Sequence, residues 1–268
     1  MEYTLADLPQ LKADLVGNAG LWGMLKKDLR QLVEMPSHFD PSTQPVLGTG
    51  LNLSLMMVAM GGLEAMATLA NIDEVASKQG TTKNAIDIVK RFGDRYFPEV
   101  NPLYTRPKGE SLLTLIWDGY RNGGLHNFFP KQDMITTTAG PKKVLFSVSW
   151  PTSKNGNAER CLTLAEIQVG RANNPTVGGP GARHLDAEMQ SNGDISIFLS
   201  SPVFALELID AGDRWAAELE QNGALQGWFV EGAARLSQGL TFQNLPGAKA
   251  CLDRMVNAAV AAVTPPST

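Results

Sequence analysis

Apolar residues recur at helical spacing through the first half of the chain. Over residues 21–34, Trp22, Leu25, Leu29, Leu32 and Val33 share one side, with Lys26, Lys27 and Arg30 on the other. "MPSHFDPSTQP" ends that helix with three prolines and several turn formers. A long apolar helix is expected from about 50 to 71. "TTKNAIDIVKRFGDRYF" predicts another amphipathic helix, with Thr81 or Thr82 as its N-cap. "PEVNPLYTRPKGES" reads as a loop, and Leu112, Leu115, Ile116 and Gly119 predict a helix over 110–126, closed by Pro130. Four helices joined by loops of moderate length point to an antiparallel bundle.

From Pro141 the period changes. "KKVLFSVSW" alternates Val144, Phe146, Val148 and Trp150 with more polar neighbours, which is strand spacing. "RCLTLAEIQVG" is a second strand candidate. Asn192-Gly193 between two extended runs is a hairpin signal. Helical spacing returns at about 202–221, 224–237 and 247–263, and the tail "TPPST" is expected to be disordered. The chain therefore reads as mainly α. A helical bundle over 1–135 is followed by a small antiparallel sheet over 141–200. C-terminal helices over 201–263 then pack on the bundle or the sheet.

The segment "LNLSLMMVAMGGLEAMATLA", residues 51–70, is nearly free of charge and about as long as a bilayer span. It carries Glu64 and two central glycines, and lacks flanking basic or aromatic anchors. Burial within a bundle explains it better, and Met56, Met57, Met60 and Met66 read as core filling. The N-terminus has neither a basic nor an apolar signal region, so a cytoplasmic protein is expected. Cys161 and Cys251 lie far apart, outside any metal-binding spacing. A net charge of −4 gives no global attraction to nucleic acid. Locally the picture differs: residues 83–131 hold eight Lys and Arg against five Asp and Glu, whereas 185–235 hold nine acids against Arg214 and Arg235. That asymmetry suits a phosphate ligand near the basic stretch.

The chain has three histidines, His38, His126 and His184. Only His126 has polar company at suggestive spacing, in "WDGYRNGGLHNFFPK", residues 117–131. On a regular helix Asn122 and His126 share a face, while Arg121 points about 140° away. Gly123 and Gly124 can relax that turn, each at a cost near 1 kcal/mol relative to Ala in a helix. A histidine can move a proton near neutrality, and an arginine can hold a phosphate through paired N–H donors. No metal-ligand cluster accompanies them, which fits phosphodiester cleavage without a metal. Arg106, Lys108 and Lys131, the basic residues around the motif, are candidates to hold the substrate.

"RNGGLH", residues 121–126, resembles the R-x4–6-H motif of HEPN domains, including the frequent polar residue after the Arg, here Asn122. The resemblance covers about residues 15–135, with the motif late in a bundle after a long apolar helix, and leaves the sheet as an insertion or extension. It implies a metal-independent endoribonuclease without cofactor, in which two chains pair to form one composite site. His126 would act as general acid or base, Arg121 would stabilise the phosphorane, and Asn122 would position one of them. The product would carry a 2′,3′-cyclic phosphate. Such proteins serve as toxins or in phage defence, restrained by an antitoxin or regulatory partner. Members silenced by nucleotidylation carry a Tyr two residues after the His; here that position is Phe128, so this control is not expected. The alternative is a HEPN-like helical domain without catalysis that binds a nucleotide or a protein partner.

Blander readings stand beside these. His126 can interact with the last carbonyls of its helix, and Arg121 can form a surface ion pair with Asp118 or Glu110. "GGPGARH", residues 178–184, lacks the Lys-Ser/Thr of a phosphate loop and reads as a turn, from which Arg183 and His184 can reach toward the motif. His38 reads as structural, and Trp228-Phe229 as bundle core.

Overall fold

The structure is a computed structural model that describes residues 3–39, 44–72, 85–107, 110–122, 132–137, 140–155, 158–173 and 183–239. Five long helices form its body: α2 (Leu21–Glu34), α3 (Gln44–Ala70), α4 (Ala85–Val100), α7 (Ser201–Leu219) and α8 (Gly223–Gly239). Shorter α1 (Leu8–Leu15), α5 (Leu112–Ile116) and α6 (Leu164–Asn173) lie at its margins. The predicted Thr81 or Thr82 cap, the helix over 247–263 and the tail lie outside the described residues.

α3 is the central element, packed against α2, α4, α7 and α8. It is apolar on nearly every side, as expected of a helix enclosed by others. It is the one described helix long and apolar enough to cross a membrane, and 56% of its apolar window is buried here. Met56, Met60 and Met66 fill the core as predicted. α8 crosses α3 so closely that a Cβ on Gly232 would lie 2.3 Å from the Thr68 carbonyl oxygen, so only glycine fits. Charged pairs tie the surface together: Asp213 accepts from Trp22 Nε1 (3.0 Å) and Lys26 Nζ (2.8 Å), and Glu218 accepts from the Tyr96 hydroxyl (2.9 Å) and from Arg95.

The sheet is mixed, which corrects the antiparallel expectation. Its order is β1 (Gln132–Thr137), β2 (Gly140–Ser149), β6 (Ile195–Ser200) and β5 (Asp186–Met189), and the central β2–β6 pair is parallel. The reason lies in the connection. A strand hairpin of β3 (Thr152–Asn155) and β4 (Ala158–Cys161) and then α6 separate β2 from β6, long enough for a crossover. "RCLTLAEIQVG" is accordingly a strand only to Cys161. Beyond it, Thr163 and Glu166 form a capping box, with Thr163 N donating to Glu166 (2.9 Å) and Glu166 N to Thr163 Oγ1 (3.3 Å), and α6 begins. The Asn192-Gly193 hairpin joins β5 to β6 as predicted, with Gly193 at φ +83°.

One apolar core runs through both parts. Val144, Phe146, Trp150 and Leu199 from the sheet region join Trp22, Phe92, Phe97, Phe204, Trp215 and Phe229 from the helices. Phe229 is fully buried and Trp228 packs against the core, consistent with the sequence reading.

Candidate functional site

The predicted helix over 110–126 is α-helical only from Leu112 to Ile116, where Ser111 caps it by accepting from Thr114 N (3.3 Å). It then widens into a π turn, Trp117–Asn122, which includes Arg121 and Asn122. The 140° separation expected on a regular helix therefore does not describe the start of the motif. π turns are rare and often occur at functional sites.

The cause of this turn is visible in its packing. Trp117 and Tyr120 are buried, and Gly119 lies flat against Phe146 of β2. A Cβ at 119 would approach that ring to 2.6 Å. The Tyr120 ring meets Phe146 edge-on, 5.4 Å between centroids. Its hydroxyl proton is shared between the carbonyls of Ser147 (3.1 Å) on β2 and Ile197 (3.0 Å) on β6. Burial drives the phenol pKa far above its ordinary value, so it serves as a fixed donor. The turn is thus clamped across the parallel strand pair. Backbone positions 121 and 122 follow directly from the clamp. Their side chains are not described, and Lys108, Gly123, Gly124, His126, Phe128 and Lys131 lie outside the described residues.

Arg106 is brought to the same place. It lines a pocket of about 160 Å³ between α5, the π turn and the β5–β6 edge, with Ile116, Tyr120, Phe146 and Phe198 among its apolar walls. Asp186 is its other charged lining residue, and both are exposed. Leu185, also in the lining, has φ +58°, a strained conformation for a bulky side chain.

A second polar cluster was not foreseen. Glu207, fully buried in α7, accepts from Asn101 Nδ2 (2.7 Å), the Tyr104 hydroxyl (2.7 Å) and His184 Nε2 (2.9 Å). Ser200 N donates to His184 Nδ1 (3.2 Å), which places the ring proton on Nε2. Burial alone would raise the Glu207 carboxyl. The imidazole, the nearby Arg171 guanidinium and the Asn101 amide outweigh it and hold the pKa below the ordinary range. Tyr104 is pushed well above its ordinary value by burial and then by Glu207. His184 is therefore enclosed, with both ring nitrogens engaged. Its neighbour Arg183 pairs with Glu188. The available signal was Glu207 itself, a lone carboxylate inside "VFALELI". Beside the cluster lies a polar cleft of about 310 Å³, lined by Arg30, Asn101, Glu207 and the Arg171–Asp210 pair (2.8 Å). His38 sits exposed at the end of a short 3-10 turn, Met35–His38, after α2.

Among the described residues no three His, Cys, Asp or Glu side chains are placed to hold a metal ion together. No family model, curated protein or solved structure matches the chain.

Proposed function

We propose that the chain is a metal-independent endoribonuclease whose working residues are Arg121, Asn122 and His126. The clamped π turn carries this reading. Catalysis by positioning needs a rigid mount, and the backbone at Arg121 and Asn122 issues from a turn locked by Gly119 and Tyr120 onto two strands. Wide turns of this kind concentrate at functional sites. The basic balance of residues 83–131 and the placement of Arg106 beside the turn add to it.

In the proposed reaction the ribose 2′-oxygen attacks the adjacent phosphorus, and the bond to the 5′-oxygen breaks. The imidazole of His126 takes the 2′ proton or gives one to the leaving oxygen. Arg121 neutralises the charge that develops on the phosphorane, and Asn122 orients one of the two. The products are a 2′,3′-cyclic phosphate and a 5′-hydroxyl. A second copy supplies a facing motif to complete the site, and a protein or ligand partner restrains it in the cell.

The purified chain and its His126→Ala variant should be incubated with mixed RNA in EDTA. Cleavage by the parent that falls at least about a hundredfold in the variant supports the enzyme, since positioned acid–base groups contribute about 10²–10⁴-fold. Intact RNA with the parent, or equal cleavage by both, refutes it.

A further inference from the structure

We infer that the apolar pocket beside the π turn is a base subsite that selects guanine. The inference takes its substrate class, RNA, from the ribonuclease reading, and its own argument is geometric. At about 160 Å³ the pocket is well below the 300 Å³ or more typical of sites for whole ligands. It suits one flat group. Ile116, Tyr120, Phe146 and Phe198 offer apolar and aromatic walls, the surface on which an unstacked RNA base is held.

Specificity comes from the two charged residues in the lining. Arg106 makes no ion pair among the described residues, so its fork of N–H donors is uncommitted. Among the described residues Asp186 accepts a hydrogen bond only from the neighbouring Ala187 N (2.8 Å), through one of its two oxygens. Arginine donates and ionised aspartate accepts. Guanine alone among the bases offers a pair of acceptors, O6 and N7, and on its Watson–Crick edge a pair of donors, N1–H and N2–H. It can therefore meet the guanidinium and the carboxylate with two charge-assisted bonds each. Adenine offers one bond to each group. Arg183 is paired with Glu188 and lies over the Phe198 ring at 5.0 Å. The strained Leu185 has a role here. It turns the chain sharply between His184, fixed on Glu207, and Asp186, the first residue of β5, and so delivers the carboxylate to the pocket.

Tyr120 both lines the pocket and precedes Arg121, so a base held there lies beside the motif that would act on its phosphate. The full chain should be titrated calorimetrically with the 3′-monophosphates of guanosine, adenosine, cytidine and uridine. Guanosine monophosphate is expected to bind at least tenfold more tightly than the other three. Asp186→Asn, which retains the acceptor for Ala187 N, should abolish that preference without shifting the thermal midpoint, and Ala187→Trp, which fills the pocket, should weaken binding of all four. Equal affinities, absent binding by the folded chain, or a preference unchanged in Asp186→Asn overturns the subsite. RNA cleavage is scored separately with the parent and His126→Ala. Cleavage without guanosine preference removes the subsite and leaves the nuclease; guanosine binding without cleavage does the reverse.

Discussion

His184 donates from Nε2 to Glu207 across 2.9 Å at a point closed to solvent, joining the segment before β5 to α7. Asn101 and Tyr104 bring the end of α4 to the same carboxylate. One side chain therefore holds together the bundle and the sheet on which the π turn is mounted. Removing it leaves three buried donors facing an apolar core. Glu207→Ala should lower the unfolding free energy by about 3–5 kcal/mol, since each buried donor left unpaired costs about 1–3 kcal/mol. Tyr104→Phe, which deletes one donor and keeps the ring, should cost only about 1–2 kcal/mol. Urea unfolding followed by far-UV circular dichroism measures both, with the slope unchanged if only the native state is affected.

Acid should loosen the same architecture. Glu207 is held below its ordinary pKa by its partners despite burial, and Glu218 by Arg95 and Tyr96 despite burial. Glu166 is lowered from 4.5 to about 2, first by its hydrogen bonds from Arg160 and then by Thr163 N. A carboxylate with a depressed folded pKa contributes stability that is complete above the unfolded value and is lost as pH falls through the folded one. The thermal midpoint should thus hold near neutrality and drop progressively from about pH 4.5 toward 2. Asp94 works in the opposite sense, since burial raises its carboxyl against Ser111 and Lys90, and it slightly offsets the loss. Glu207→Gln should melt lower than the parent at pH 7 and show a shallower fall below pH 4.5. Melting curves at half-unit intervals test this.

Where one periodicity governed a segment, the sequence was readable. α2 begins and ends at the predicted residues 21 and 34, and the Asn192-Gly193 turn joins the strands it was expected to join. The failures have physical reasons. "RCLTLAEIQVG", expected as a strand, is one only to Cys161, because Thr163 and Glu166 form a legible capping box that starts a helix beyond it. The parallel pairing of β2 with β6 depends on where α6 crosses, which neither strand encodes by itself. The π turn arises from Gly119 meeting Phe146, a contact between residues 27 positions apart in sequence. The Glu207 cluster draws on α4, α7 and the approach to β5, so only its isolated carboxylate was visible beforehand.

Two glycines provide a paired test of that clamp. At Gly119 an added methyl would stand 2.6 Å from the Phe146 ring, between a buried turn and a packed strand. Gly119→Ala should therefore cost about 1–3 kcal/mol, as overpacking does. On the proposed function it should also slow RNA cleavage by more than the loss of folded protein explains. Gly227 in α8 has nothing within 4 Å of its added methyl. There Ala should stabilise by about 0.5–1 kcal/mol through helix propensity alone and leave cleavage unchanged. Opposite signs in denaturant midpoints, with cleavage altered only at 119, are the expected outcome.

The Tyr120 hydroxyl separates positioning from stability most sharply. Its single proton bridges Ser147 and Ile197, and those carbonyls belong to adjacent, already paired strands. Tyr120→Phe keeps the ring against Phe146 and removes only the bridge, so the stability loss should be about 1 kcal/mol. The turn carrying Arg121 and Asn122 would lose its polar anchor to the sheet. A shift of about 1 Å at a reacting group can cost about a hundredfold in rate. Cleavage by Tyr120→Phe should accordingly fall by an order of magnitude or more in turnover, with the RNA concentration for half-maximal rate little changed. The defect should persist at temperatures where the variant is fully folded, and its pH–rate profile should keep the parent's shape because the Tyr120 phenol, held far above its ordinary pKa by burial, stays protonated throughout. A variant that cuts RNA at the parental rate would show that the clamp contributes to folding alone.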